Sequence, residues 1–165
     1  MMEIEVRFYT RFDFGGFWSS LMWLPVRWVQ GEFVHVEIAI PEDDKLLNAD
    51  IQYGVDVFKI SGDPSRIYRL PVDRNAFWEF VNGIKDKHYS WESYVRLLIP
   101  RWGRDPKGFI CSELVADALK HSCKHSLLQG AVTAVPPYRW TPNALCQALD
   151  NLNFNPIKLV SKTSS

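Results

Sequence analysis

Charged and apolar side chains alternate over residues 3–9, through Glu3, Ile4, Glu5, Val6, Arg7 and Phe8, the period-two pattern of a half-buried strand. Between 16 and 29 the apolar residues Phe17, Leu21, Leu24 and Trp28 recur at helical spacing, with Pro25 placed to kink or end the helix. Residues 33–40 alternate again and are rich in β-branched side chains. They predict a strand with Phe33, His35, Glu37 and Ala39 on one face and Val34, Val36, Ile38 and Ile40 on the other. After a turn at 41–45, three short extended segments (46–51, 55–60 and 66–70) are punctuated by Gly54, Gly62 and Pro64, which predicts an antiparallel meander.

The periodicity then lengthens. Asp73 is placed to cap a helix carrying Phe77, Phe80, Val81 and Ile84, and Ser90 to cap another that runs to Ile99 before Pro100. A loop at 101–108 leads into a third helix that begins near Cys111, with good helix formers through Leu119. Thr141 followed by Pro142 is an N-cap with proline at the first helical position, opening a helix to Asp150. A terminal strand is expected at 154–160, and 161–165 reads as a frayed tail. The pattern is that of one α+β domain over residues 1–160, a small antiparallel sheet of about five or six strands packed against helices.

Composition narrows the function classes. Nineteen Lys plus Arg balance nineteen Asp plus Glu, so no global field draws in phosphate backbones, and nucleic acid is not an expected partner. Aromatic residues at 14% need a packed core and speak against disorder. Apolar runs are interrupted by Pro, Arg or Gly well short of the roughly 20 residues of a bilayer span, and no transmembrane segment is expected. The first ten residues carry acids where a secretory signal has a basic patch and an apolar stretch. Three cysteines, Cys111, Cys123 and Cys146, leave an odd thiol after any pairing, which fits a reducing compartment. A cytoplasmic or phage-associated location follows as the expectation.

In such a compartment a cysteine is a small buried apolar group or a working thiolate. Thiol catalysis needs a thiolate, an imidazole to exchange its proton, and a polar group to fix the ring. Cys111 falls in the first turn of its helix, where the dipole and unpaired N–H groups favour a negative sulfur. His35 projects from a strand, and Asn48, on the set Leu46, Asn48 and Asp50 of the next strand, can hold its tautomer. Spacing alone also fits a plainer reading. Cys111 lies on an apolar stripe with Leu114, Val115 and Ala118, a lone strand histidine is commonly a hydrogen-bonded structural residue, and Asn48 can simply end a strand.

Two motifs carry a resemblance. Phe33-Val34-His35-Val36-Glu37-Ile38-Ala39-Ile40 followed much later by Phe109-Ile110-Cys111-Ser112-Glu113-Leu114-Val115 resembles the permuted papain-like hydrolases of the NlpC type, in particular the YiiX-like branch, with a more distant likeness to lecithin:retinol acyltransferase-like proteins. His88-Tyr89-Ser90, Thr141-Pro142-Asn143-Ala144-Leu145 and the Trp-bearing segment before the histidine strand resemble further family features. The resemblance implies a permuted papain-like fold and a cysteine hydrolase acting on an amide (peptide, isopeptide or peptidoglycan-type) or ester bond through a thioester. It implies Cys111 as nucleophile, His35 as acid and base, Asn48 as the orienting residue, Tyr89 and Ser112 as oxyanion or substrate contacts, and no cofactor. The YiiX-like branch often has Glu where Leu46-Leu47-Asn48-Ala49 places Asn, so Asp50 and Glu37 stand as alternatives to Asn48. Substrates from the family are a peptide, a peptidoglycan fragment or a lipid-like molecule. The competing expectations are a lipid acyltransferase and an inactive binding or virion-structural module of the same fold.

Other clusters have bland readings. His121, Cys123 and His125 alternate in a way that can share a metal, but no fourth ligand lies at a usual spacing, and a solvated, frayed helix end is expected. Trp18, Met22, Trp23 and Trp28 fit core packing before a lipid-binding rim. Arg101, Arg104 and Lys107 are diluted by Asp105 and read as a solvated loop.

Overall fold

The structure is a computed structural model, described here for residues 1–10, 31–50, 53–90, 92–93, 95 and 107–157. Five strands, β1 (Met2–Tyr9), β2 (His35–Ile40), β3 (Lys45–Asp50), β4 (Gly54–Lys59) and β5 (Arg66–Val72), form one antiparallel sheet in the order β4-β3-β2-β1-β5. Four helices follow among the described residues: α1 (Arg74–Ile84), α2 (Cys111–Ser122), α3 (Ser126–Ala134) and α4 (Pro142–Asn151). The α+β class expected from the alternating-then-helical pattern is what the chain adopts.

The meander expectation holds only as far as β4. β5 leaves the β4 edge and pairs with β1 along seven residues, from Met2 opposite Val72 to Phe8 opposite Arg66. The crossing is turned by Gly62 at φ +79°, a conformation glycine adopts without a Cβ clash. Pairing on both sides makes β1 and β2 central strands. β2 is buried along its whole length, His35, Glu37 and Ala39 included.

Val36, Ile38 and Ile40 join Ile4, Val6, Phe8 and Leu47 in the core. Helix α2 lies against β2 and β3 and contacts α1, α3 and α4, so it is the central helix of the layer. Its Leu114, Val115, Ala118 and Leu119 are fully buried at i, i+3/i+4 spacing. The expected caps form: Asp73 accepts from the N–H groups of Asn75 and Ala76, and Thr141 accepts from that of Ala144. Two hydrogen bonds to N–H groups, the larger from Ala76, and the Lys124 ammonium hold the Asp73 carboxyl down at about 2. Ser90 accepts from the Ser93 N–H as a cap does. The rest of that helix lies outside the described residues, as does the helix expected at 16–29.

The chain at 154–157 is not a strand and makes one ladder-like bond, from the Ile157 N–H to the Ile67 carbonyl at 2.9 Å. Among the described residues no helix is long and apolar enough to cross a membrane.

Candidate active site

Cys111 is the first residue of α2, preceded by Ile110 in extended conformation. Two contacts fix this helix start. The Glu113 carboxylate reaches back to accept from the Ile110 N–H at 3.2 Å, which satisfies one donor that a helix start leaves open. The segment at 88–90 runs alongside, the Phe109 N–H donating to the His88 carbonyl at 3.2 Å and the Ser90 N–H to the Phe109 carbonyl at 2.9 Å. This bridge sets Tyr89, half-buried, beside Phe109, which is itself two residues before Cys111.

His35 opens β2 opposite Tyr9 of β1. Its ring and the Cys111 sulfur are close enough to couple electrostatically, so the fold brings the two sequence-predicted residues near one another. Nε2 of the same ring lies 3.6 Å from Oε2 of Glu37, an ion-pair distance. The Tyr9 hydroxyl donates to Oε1 of Glu37, and the Tyr9 and His35 rings are 5.7 Å apart between centroids. Burial by itself lowers the affinity of the ring for a proton, because a cation loses hydration. The Cys111 and Glu37 charges and hydrogen bonds outweigh that loss, and the His35 pKa is pushed up to about 10. Burial first, then the Glu37 charge and its hydrogen bond, lift the Tyr9 phenol well above the usual range. Tyr9 is therefore a neutral donor at physiological pH.

Of Asn48 and its two alternatives, Asp50 and Glu37, it is Glu37 that stands at ion-pair distance from the ring, because residues two apart on a strand share a face. Asn48 lies on β3 and lines a cavity of about 420 Å³ together with Tyr9, His35, Glu37 and Asp50, its Oδ1 buried without a hydrogen-bond partner. Asp50 also borders the cavity and accepts from the Tyr53 N–H at 3.2 Å. Ser112 was expected to contact the oxyanion or substrate. Its side chain is fully buried and its Oγ has no hydrogen-bond partner, since one helical step turns it from the Cys111 position into the core. It has a backbone N–H to offer a ligand, not a hydroxyl.

The His-Cys-His alternation is a corner between α2 and α3, not a frayed end. His121 contacts the Asp117 carbonyl at 2.7 Å and stacks on Phe80, while His125 caps α3 by accepting from the Leu128 N–H at 3.3 Å. Cys123 is buried, and burial raises its thiol pKa. Among the described residues no group of His, Cys, Asp or Glu could hold a metal ion. Lys107 is exposed, as expected of a solvated loop. Arg101, Arg104 and the tryptophans at 18, 23 and 28 lie outside the described residues.

Sequence reasoning missed Tyr9 in the site. Only the pairing register of β1 with β2 brings it to Glu37, and that register is not written in either strand alone. Comparison with known proteins adds no assignment: no protein-family model, curated protein or solved structure matches the chain.

Proposed function

We propose that this protein is a cysteine hydrolase with a permuted papain-like arrangement, cleaving an amide or ester bond through a thioester. The observation that carries the reading is the electrostatic coupling of the His35 ring to the Cys111 sulfur, at the start of a helix and backed by a carboxylate. A structural cysteine and a structural histidine have no need of one another, whereas an exchangeable proton between them is what nucleophilic thiol chemistry uses.

The steps follow from the atoms present. The Cys111 sulfur, having given its proton to His35, attacks the substrate carbonyl. With Nε2 turned to Glu37, Nδ1 is the nitrogen that returns this proton to the leaving amine or alcohol. Water then attacks the thioester with His35 as base, releasing the acid and restoring the thiol. Glu37 orients the ring and stabilises its cationic form, and Tyr9 fixes Glu37. The backbone N–H of Cys111, at the positive end of α2, is positioned for the oxyanion, and the resemblance adds Tyr89 as a second donor. The cavity beside His35 and Glu37 is the place for the part of the substrate next to the scissile bond.

The test is trapping of the acyl enzyme. Mixed with p-nitrophenyl acetate, the native protein is expected to release a burst of nitrophenol and to carry one acetyl group, mapped to Cys111. Cys111→Ala abolishes the burst and His35→Ala slows it by about a hundredfold or more. An acetyl group distributed equally over Cys111, Cys123 and Cys146, or absent, contradicts the assignment and favours a binding module of the same fold.

A further inference from the structure

The chain entering the histidine strand is held by the last helix. Asn143, the second residue of α4, accepts from the Phe33 N–H through Oδ1 at 3.0 Å and donates through Nδ2 to the Phe33 carbonyl at 2.8 Å. One side-chain amide thus pairs with both polar groups of a single residue, as a neighbouring strand would. On the opposite side the next N–H, that of Val34, goes to the Tyr9 carbonyl at 2.9 Å. The close approach depends on Gly31, at φ +98°, where an added Cβ would lie 3.1 Å from the Asn143 Oδ1. A second tie runs from the same helix. Asp150 accepts from Arg66 at 2.9 Å, and the Arg66 guanidinium stands over the Phe33 ring at 5.6 Å.

Helix α4 also packs on α2, whose first residue is Cys111. A single rigid element therefore bears on both sides of the pair: on the sulfur through helix packing, and on the imidazole through the peptide of Phe33, two residues before His35. Without the amide, a buried donor and a buried acceptor lose their partners together, and the entry to β2 is released at that end.

We propose that Asn143 is a positioning residue that sets the separation of the His35 ring from the Cys111 sulfur. The inference rests on the reading of these two residues as the reactive pair. Asn143 touches neither of them. Its effect is on how well the ring supports a thiolate.

The experiment follows the rate of iodoacetamide alkylation at Cys111, by peptide mapping, as a function of pH. The proteins are the native chain, Asn143→Ala and Thr141→Ala, each held well below its melting temperature. Thr141→Ala removes the cap of the same helix without touching Phe33, so it reports on lost stability alone. At pH 6 native Cys111 is expected to alkylate about a hundredfold faster than Cys123 or Cys146, with Thr141→Ala superimposed on it. Asn143→Ala is expected to slow alkylation of Cys111 at pH 6 about tenfold. A folded Asn143→Ala whose profile matches the native one overturns the positioning role. If Asn143→Ala does not fold, Asn143→Asp, which keeps the acceptor and loses the donor, is judged by the same change in rate. Equal slow labelling of Cys111, Cys123 and Cys146 in the native protein instead overturns the underlying reading of a reactive pair, so the two failures are distinguishable.

Discussion

A histidine and a glutamate buried side by side on a central strand are costly unless each satisfies the other. At residue scale the site is organised around that constraint. Glu37 receives the Tyr9 hydroxyl on one oxygen and faces the imidazole with the other, so it is fixed from two strands. Replacing Glu37 with Gln keeps the shape and removes the charge. The expected outcome is alkylation of Cys111 slowed about tenfold at pH 6, with a lower melting temperature because the buried imidazolium loses its counter-charge. Tyr9→Phe removes a hydrogen bond to a charged group, and its expected cost is about 2 kcal/mol in denaturant unfolding. How much of this was readable varied with the kind of signal. Cys111 and His35 stand in recognisable local motifs, and Glu37 shares the His35 face by simple alternation. Asn48 was the expected orienter because its strand position resembles the family's; it lines the same cavity as His35 and Glu37, with its Oδ1 outside any hydrogen bond. Tyr9 and Asn143 reach the site only through strand register and helix docking, which no local pattern records.

At the scale of elements, the helices predicted after Asp73, near Cys111 and after Thr141 formed where expected, and for the first and last the side-chain cap is a local chemical event that marks the start. α1 starts after Asp73 and α4 after Thr141. Helix α3 was not expected. Gly130 and Thr133 dilute its pattern, and it buries only Leu128 and Val132, four residues apart, while Leu127 is exposed. Its start is capped by His125, an unusual residue for that place. β5 joined the edge opposite to β4, where a meander would not put it, because alternation says which face a strand buries and nothing of which edge it joins. One glycine is critical to the β3-β4 connection. Gly54 sits at φ +75°, and a Cβ there would lie 2.5 Å from the Lys87 carbonyl oxygen, where the Val55 N–H bonds at 2.7 Å. Gly54→Ala is expected to destabilise the protein by roughly 1–3 kcal/mol, seen as a lower urea midpoint. Loss of the α4 cap in Thr141→Ala is expected to cost about 1 kcal/mol.

For the whole molecule, the site is assembled from an early strand and a helix well after it in the chain. That assembly has a pH signature. An unfolded histidine has a pKa of about 6.5, and His35 in the fold is pushed up to about 10. A raised folded value means that the stabilisation from the imidazolium is fully present below about pH 6.5 and is lost as pH rises through about 10. Guanidinium unfolding of the native protein is therefore expected to show stability falling across that window, and His35→Gln is expected to flatten it. The zero net charge of the sequence leaves little global electrostatic change to mask the effect near neutrality. The most direct measurement of the central claim is the rate of iodoacetamide labelling of each cysteine at pH 6 in one reaction, with Cys123 and Cys146 as internal references. The account predicts that Cys111 labels about a hundredfold faster than either and that His35→Ala removes the difference. Equal slow labelling of all three in the folded protein, unchanged by His35→Ala, would contradict it.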